Sequence, residues 1–128
     1  MVVSELRRRV RHLGLVQWLS GKPPDSLFLS AVTIGEIERG IVRQRAADPA
    51  FADALAKWLG GLVTIYAERI LPLDVRSARR WGELSGRLGH DGADLMIAAT
   101  AIEHGMIVVT RNARHFVPTG VAVENPYD

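Results

Sequence analysis

The stretch Asp91-Gly-Ala-Asp94-Leu-Met-Ile-Ala-Ala-Thr-Ala-Ile-Glu-His-Gly105-Met-Ile-Val-Val-Thr-Arg-Asn112 reads as a helix, a stop, a strand and a polar turn. Asp91 is placed to cap the helix, and Gly105 to end it in the left-handed conformation that costs glycine least. Met106 to Val109 is too short and too continuously apolar for a helix, so it reads as a buried strand, parallel and central. In open parallel sheets the residues just past a strand's carboxyl end face the functional crevice. That rule puts Thr110, Arg111 and Asn112 at the crevice.

Asp94 is the residue that turns this scaffold into a candidate site. At about 100° per residue, Thr100, Glu103 and His104 share a polar arc, while Asp94 lies away from it in register with Ile97, Ala98 and Ala101. The wheel therefore points Asp94 inward, among small side chains. An ionised carboxylate taken out of water costs several kcal/mol unless it gains hydrogen bonds, a cationic partner or a metal. Two readings stay open: the acid serves the helix start, through the dipole or a cap, or it belongs to a site.

The rest of the chain bounds the answer. Its 128 residues suit a single domain over 1–128, and with 48% hydrophobic residues disorder is excluded. The absence of cysteine excludes disulfides and thiolate metal sites, and nothing asks for an oxidising compartment, so a cytoplasmic protein is expected. No apolar run approaches the roughly 18 to 20 residues needed to cross a bilayer, and no signal peptide is legible. The net charge is +2, and Lys22 and Lys57 are the only lysines among 16 basic residues. That arginine bias suits phosphate recognition, and it equally suits a GC-rich genome.

Outward from the opening stretch, elements alternate. Ser4 begins a helix carrying Arg7, Arg8, Arg9 and Arg11, either a phosphate patch or a solvated face. A short helical segment around Trp18 and a loop from Gly21 to Asp25 follow. Leu27 to Ser30 reads as a strand and Val32 to Arg45 as a helix, with Ile34, Ile37 and Ile41 on one side and Glu36 at the edge of that apolar face. Asp48 with Pro49 opens another helix, whose Phe51, Leu55, Trp58, Leu59 and Leu62 form a stripe suited to core or protein contact. Ile70 to Leu73 is a strand that Pro72 confines to an edge, and Asp74 caps a helix packing through Ala78, Trp81, Leu84 and Leu88. Ala113 to Phe116 makes one turn and Val121 to Val123 a last strand. The alternation predicts an α/β, three-layer arrangement with a mostly parallel sheet covered on both faces. An opening strand is expected to be missing, since no room for one precedes Ser4.

Glu36, Asp94 and Asn112 all fall where loops and helix starts meet strand ends. Carboxylate and amide oxygens suit hard divalent cations, and Mg²⁺ takes only one or two carboxylates, with waters and a phosphate completing its shell. Such a site polarises a phosphodiester and activates water, which is hydrolytic nuclease chemistry. The four histidines, His12, His90, His104 and His115, lack the paired spacing of a zinc site.

Taken together, Ser30-Ala-Val-Thr-Ile-Gly-Glu36-Ile-Glu-Arg-Gly40, Arg69-Ile-Leu-Pro-Leu-Asp74, Ala93-Asp94-Leu-Met-Ile-Ala-Ala-Thr-Ala, Val109-Thr-Arg-Asn112 and Glu124-Asn-Pro-Tyr127 resemble the PIN-domain ribonuclease toxins of the VapC type. The resemblance runs over essentially the whole chain in the family's order. It implies a PIN-like fold and a Mg²⁺-dependent endoribonuclease, with Mn²⁺ as a substitute, that leaves a 5′-phosphate and a 3′-hydroxyl. It also implies a VapB-type antitoxin lying over the site, an RNA substrate, and a toxin homodimer or a toxin–antitoxin hetero-oligomer. The family's second acid maps to Glu36, its third to Asp94 and its fourth position to Asn112, with Thr110 as a contact to metal-bound water or phosphate. One departure stands out: these toxins open with a strand ending Leu-Asp-Thr-Asn before Val-Val-Ser-Glu, whereas here Met1 is followed directly by Val2-Val3-Ser4-Glu5. The first strand and its aspartate are thus expected to be absent, through a late-assigned start or a truncation. The alternative function is a catalytically inactive PIN domain that still binds its antitoxin.

Overall fold

Five short, mostly β-branched or leucine-bearing segments pair in parallel and set the frame. In the computed structural model, which describes residues 2–3 and 26–125, these are β1 (Val2–Val3), β2 (Phe28–Ser30), β3 (Ile70–Leu71), β4 (Val108–Val109) and β5 (Val123–Glu124). The strand order is β3-β2-β1-β4-β5. The expected cap at Ser4, the arginine run from Arg7 to Arg11, the segment around Trp18 and the Gly21 to Asp25 loop lie outside the described residues.

The expectation of a missing opening strand is corrected. Val2–Val3 pair with β2 on one side and β4 on the other and hold the middle of the sheet. Two residues suffice because both neighbours offer parallel partners and valine favours the pleated conformation. The strand after Gly105 is parallel and interior, as expected, but it stands one place from the centre. Pro72 has the predicted effect: β3 is an edge strand that stops at Leu71.

Between the strands run α1 (Ala31–Ala47), α2 (Pro49–Ile65), α3 (Val75–Leu88), α4 (Ala93–Glu103) and the single turn α5 (Ala113–Phe116). Their starts follow from short-range chemistry. Ser30 Oγ accepts from the Val32 N–H at 3.1 Å, and Asp48 Oδ1 from the Phe51 N–H at 3.1 Å. Caps of this kind contribute about 1 kcal/mol each. Asp74 Oδ1 accepts from the Ser77 N–H at 2.8 Å.

Successive strand residues face opposite sides, and this divides the core. Leu29 and Val109 turn to one face, against Ile34 of α1 and Leu62 of α2. Val108 turns to the other, with Ile97, Ala98 and Ala101 of α4 and Phe116 of α5. The result is the predicted three layers, with α1 and α2 on one side and α4 on the other. A third apolar group, Ile41, Ala52, Leu55 and Leu59, seals α1 against α2.

The polar arc of α4 is corrected too. Thr100 is fully buried and donates its hydroxyl to the Met96 carbonyl at 2.9 Å. Glu103 is held by α3, through Arg80 Nη2 at 2.9 Å and Arg76 Nε at 3.5 Å. The arc faces a second helix rather than solvent: α3 packs along it, with its start beside the end of α4. Among the described residues, no helix is long and apolar enough to cross a membrane.

Gly105 ends α4 as expected, at φ +65°, with its N–H bonded to the Ile102 carbonyl and the Met106 N–H to the Ala101 carbonyl. A Cβ added at Gly105 meets nothing within 4 Å. Gly105→Ala should therefore cost about 1 kcal/mol from backbone strain alone, read by urea denaturation with an unchanged m-value. A second prediction concerns acid. The Asp74 carboxyl is held below its ordinary value of 3.8, first by the Ser77 backbone N–H, then by the Ser77 hydroxyl, with the charges of His104 and Arg76 adding to the effect. Because the folded value is the lower one, the stabilisation is present above the unfolded value and lost as pH falls through the folded one. Asp74→Ala should flatten the fall in stability below about pH 4, measured by denaturant titration across that range.

Candidate functional site

Strand order decides where a site can form. The chain goes from β1 to β2 on one side and later arrives at β4 on the other, so the order reverses between β1 and β4. In such sheets the crevice opens above the carboxyl ends at that reversal. Three described segments meet its rim: the start of α1 after β2, the turn after β4, and the first turn of α4.

The turn after β4 is built from its own polar groups. Thr110 is fully buried, its N–H donates to the Glu124 carbonyl at 3.0 Å, and its Oγ1 accepts from the Asn112 N–H at 3.0 Å. Asn112 stands exposed, and its carbonyl accepts from the His115 N–H at 2.9 Å to begin α5. Phe116, 1% exposed, plugs α5 into the core beside Ile97 and Val121. The Thr119 hydroxyl donates to the Phe116 carbonyl and fixes the turn's far end.

Asp94 departs from its sequence reading. Its side chain is 41% exposed, and Oδ2 lies 3.3 Å from Nδ1 of His115. The helical wheel assumes that every residue on the apolar face has sheet beneath it. Asp94 sits in the first turn of α4, above the carboxyl edge of strands only two or three residues long, while Leu95, Ile97 and Ala98 behind it are buried. Its inward direction therefore opens into the crevice. The expected Asp91 cap is also corrected: Gly92 is the N-cap without a side-chain bond, and its N–H donates to Nδ1 of His90 at 3.3 Å, while Asp91 is exposed.

Glu36 stands exposed on α1, nearly two turns beyond Ser30. Helix α1 touches α4, and α4 touches α5. The structure thus brings Asp94 to His115, through direct contact of α4 with α5, the helix turn into which Thr110–Asn112 leads. Glu36 stands on a different helix, α1, and among the described residues no three His, Asp or Glu side chains form a metal-binding group.

Donor chemistry decides what such a rim suits. Asp94 has its Oδ2 engaged by His115, Glu36 is exposed, and Asn112 carries a neutral amide oxygen. This set fits a hard divalent cation that keeps most of its waters and takes one or two carboxylates; it does not fit a closed cage of protein ligands. His115 was missed in the sequence because its spacing matches no zinc pattern. The signal available was Phe116: a buried anchor in a one-turn helix directs the preceding residue out of the core.

Another hollow, lined by Val75, Arg76, Arg79, Arg80, Glu83 and Glu103, lies at the opposite end of α4. Nine residues of helix, about 14 Å, separate Glu103 from Asp94. Its Arg76 and Arg80 are engaged by Glu103, so it is read as the clamp between α3 and α4 rather than as part of the site.

A family model described as the PIN domain matches residues 1–119. The chain is 30% identical over 134 residues to the VapC ribonuclease Y4jK of Sinorhizobium fredii, covering 99% of this chain and 94% of that protein. It is 29% identical to Toxin FitB of Neisseria gonorrhoeae, covering 98% of this chain and 94% of that one. The crystal structure of FitAcB from Neisseria gonorrhoeae matches with a TM-score of 0.82 at 29% identity, over 99% of both chains. VapBC-1 from nontypeable Haemophilus influenzae matches with a TM-score of 0.73 at 16% identity over 100% and 98%, a likeness of fold alone.

The Thr110–Asn112 bond gives the site's local prediction. Thr110→Val keeps the side chain's shape but leaves the Asn112 N–H without its acceptor, and should cost about 1 kcal/mol. Hydrogen exchange of the Asn112 amide should speed up in the variant, while the amides of α4 keep their protection.

Proposed function

The chain belongs to the PIN-domain family and is a homologue of the VapC- and FitB-type toxins, and from that premise we propose that it is a Mg²⁺-dependent endoribonuclease toxin of a toxin–antitoxin pair. What supports the reading is the half-exposed Asp94 carboxylate in the first turn of α4, paired with His115 of the turn α5 that follows Thr110–Asn112. Bound Mg²⁺, or Mn²⁺ in its place, would supply Lewis-acid activation of the phosphodiester and of water. Asp94 and Glu36 are the carboxylates that would hold it, and Asn112 the neutral donor. Thr110, buried and accepting the Asn112 N–H, contributes by fixing the turn.

In this reading the open crevice admits a single RNA strand along the rim. Water attacks phosphorus, the bond to the 3′ oxygen breaks, and that oxygen leaves as a hydroxyl while the 5′ side keeps the phosphate. A VapB-type antitoxin silences the site; support comes from the solved relative FitAcB, 29% identical over 99% of both chains. The outer face of α2 offers apolar surface for that antitoxin or a second toxin, with Phe51 42% and Ile65 70% exposed.

The second reading is a chain that keeps the fold and its partner but does not cleave. Incubating the full chain with single-stranded RNA separates the two. Cleavage that needs Mg²⁺ or Mn²⁺, stops with chelator and falls at least about a hundredfold in Asp94→Asn supports the nuclease. Cleavage untouched by Asp94→Asn places the chemistry elsewhere, and no cleavage with intact antitoxin binding selects the second reading.

A further inference from the structure

We propose that His115 is a positioning residue of this site: its Nδ1 holds one oxygen of Asp94 so that the other faces the cation. The inference rests on the nuclease reading for the cation's presence, and on geometry for the pairing. Nδ1 of His115 lies 3.3 Å from Oδ2 of Asp94, and the two side chains are 48% and 41% exposed. An ion pair this open contributes little to folding, because water and salt screen it and two side chains lose rotamer freedom. Stability therefore does not account for the arrangement.

Orientation does. Asp94 has two side-chain torsions, and its side chain stands 41% exposed in the first turn of α4, outside the buried core. Both backbones are nonetheless firmly set: α4 by buried Leu95, Ile97 and Ala98, and α5 by buried Phe116 together with the Asn112 carbonyl bond to the His115 N–H. A donor presented from one fixed element to a carboxylate on another fixes which oxygen is free and where it points. Outer-shell bonds of this kind hold a ligating carboxylate in place, and their loss typically costs about 10- to 100-fold in metal affinity. The role also explains why a single histidine serves here: it works through Asp94 and needs no second histidine to share a cation.

The test uses the full chain and Mn²⁺ as the probe, with four variants. His115→Ala should weaken Mn²⁺ binding about tenfold or more, measured by calorimetry and by counting free Mn²⁺ in the electron paramagnetic resonance spectrum, with thermal stability unchanged. His115→Asn, whose amide N–H reaches about as far as Nδ1, should restore affinity to within about threefold, whereas His115→Gln, which reaches farther, should not. Asp94→Asn should abolish binding. In RNA cleavage, His115→Ala should lower kcat with KM nearly unchanged.

Mn²⁺ affinity equal in His115→Ala and the parent chain overturns the inference and leaves the nuclease reading standing. So does an affinity in His115→Asn as weak as in His115→Ala. A nitrogen coupling from His115 in the bound Mn²⁺ spectrum also overturns it, because it makes the ring a ligand rather than a positioning group. A parent chain that neither binds Mn²⁺ nor cleaves RNA sinks both together.

Discussion

The close seating of α4 is the constraint on which the rest of the structure depends. Leu95, Ile97, Ala98, Ala99, Thr100 and Ala101 are all buried, so the helix is enclosed on nearly every side by the sheet, α3 and the α5 turn. Small residues make that possible, because they let neighbouring backbones approach closely and leave no room for a bulky or solvated side chain. Where the helix starts and stops then decides the chemistry. Its first turn overhangs the short strands and presents Asp94; its left-handed stop at Gly105 aims the chain into β4 and so delivers the Thr110–Asn112 turn to the same rim.

Enclosure also explains the far end of α4. Glu103 is only 14% exposed on its side chain, and a carboxylate so placed needs charge compensation, which Arg76 and Arg80 provide from the start of α3. His104 adds a bond to the Thr100 carbonyl at 2.8 Å. The helix thus has two polar ends with different work. One is closed by ion pairs and clamps α3 to α4; the other is left open toward the crevice and has spare acceptor capacity.

Much of this was legible in the sequence, and the misses have physical causes. Capping residues such as Asp48 and Asp74 act on backbone within their own first turn, so their spacing is read without knowing the fold. Gly105 is legible for the same reason, and Pro72 marks an edge because it lacks a ladder donor. The misses all involve tertiary neighbours. Thr100 looked solvent-facing because the wheel has no knowledge of α3, and Asp94 looked inward because the wheel has no knowledge of where the strands end. Val2–Val3 are too few to read as a strand alone, yet become one between two parallel partners. His115 was invisible because its meaning lies in a residue 21 positions earlier in the chain. For the proposed site, the sequence supplied the residue types at Glu36, Asp94, Thr110 and Asn112, and the fold added the pairing of Asp94 with His115.

On the proposed reading the cation sits at the Asp94 end of α4. Paramagnetic broadening of backbone amide signals by substoichiometric Mn²⁺, in an isotopically labelled full chain, tests it directly. Selective loss of the signals of the first turn of α4 and of the turn from Thr110 to Asn112 is expected, with those of Arg76, Arg80 and Glu103 unaffected. Broadening centred on Glu103 and α3, or spread evenly over the exposed acids, would contradict it.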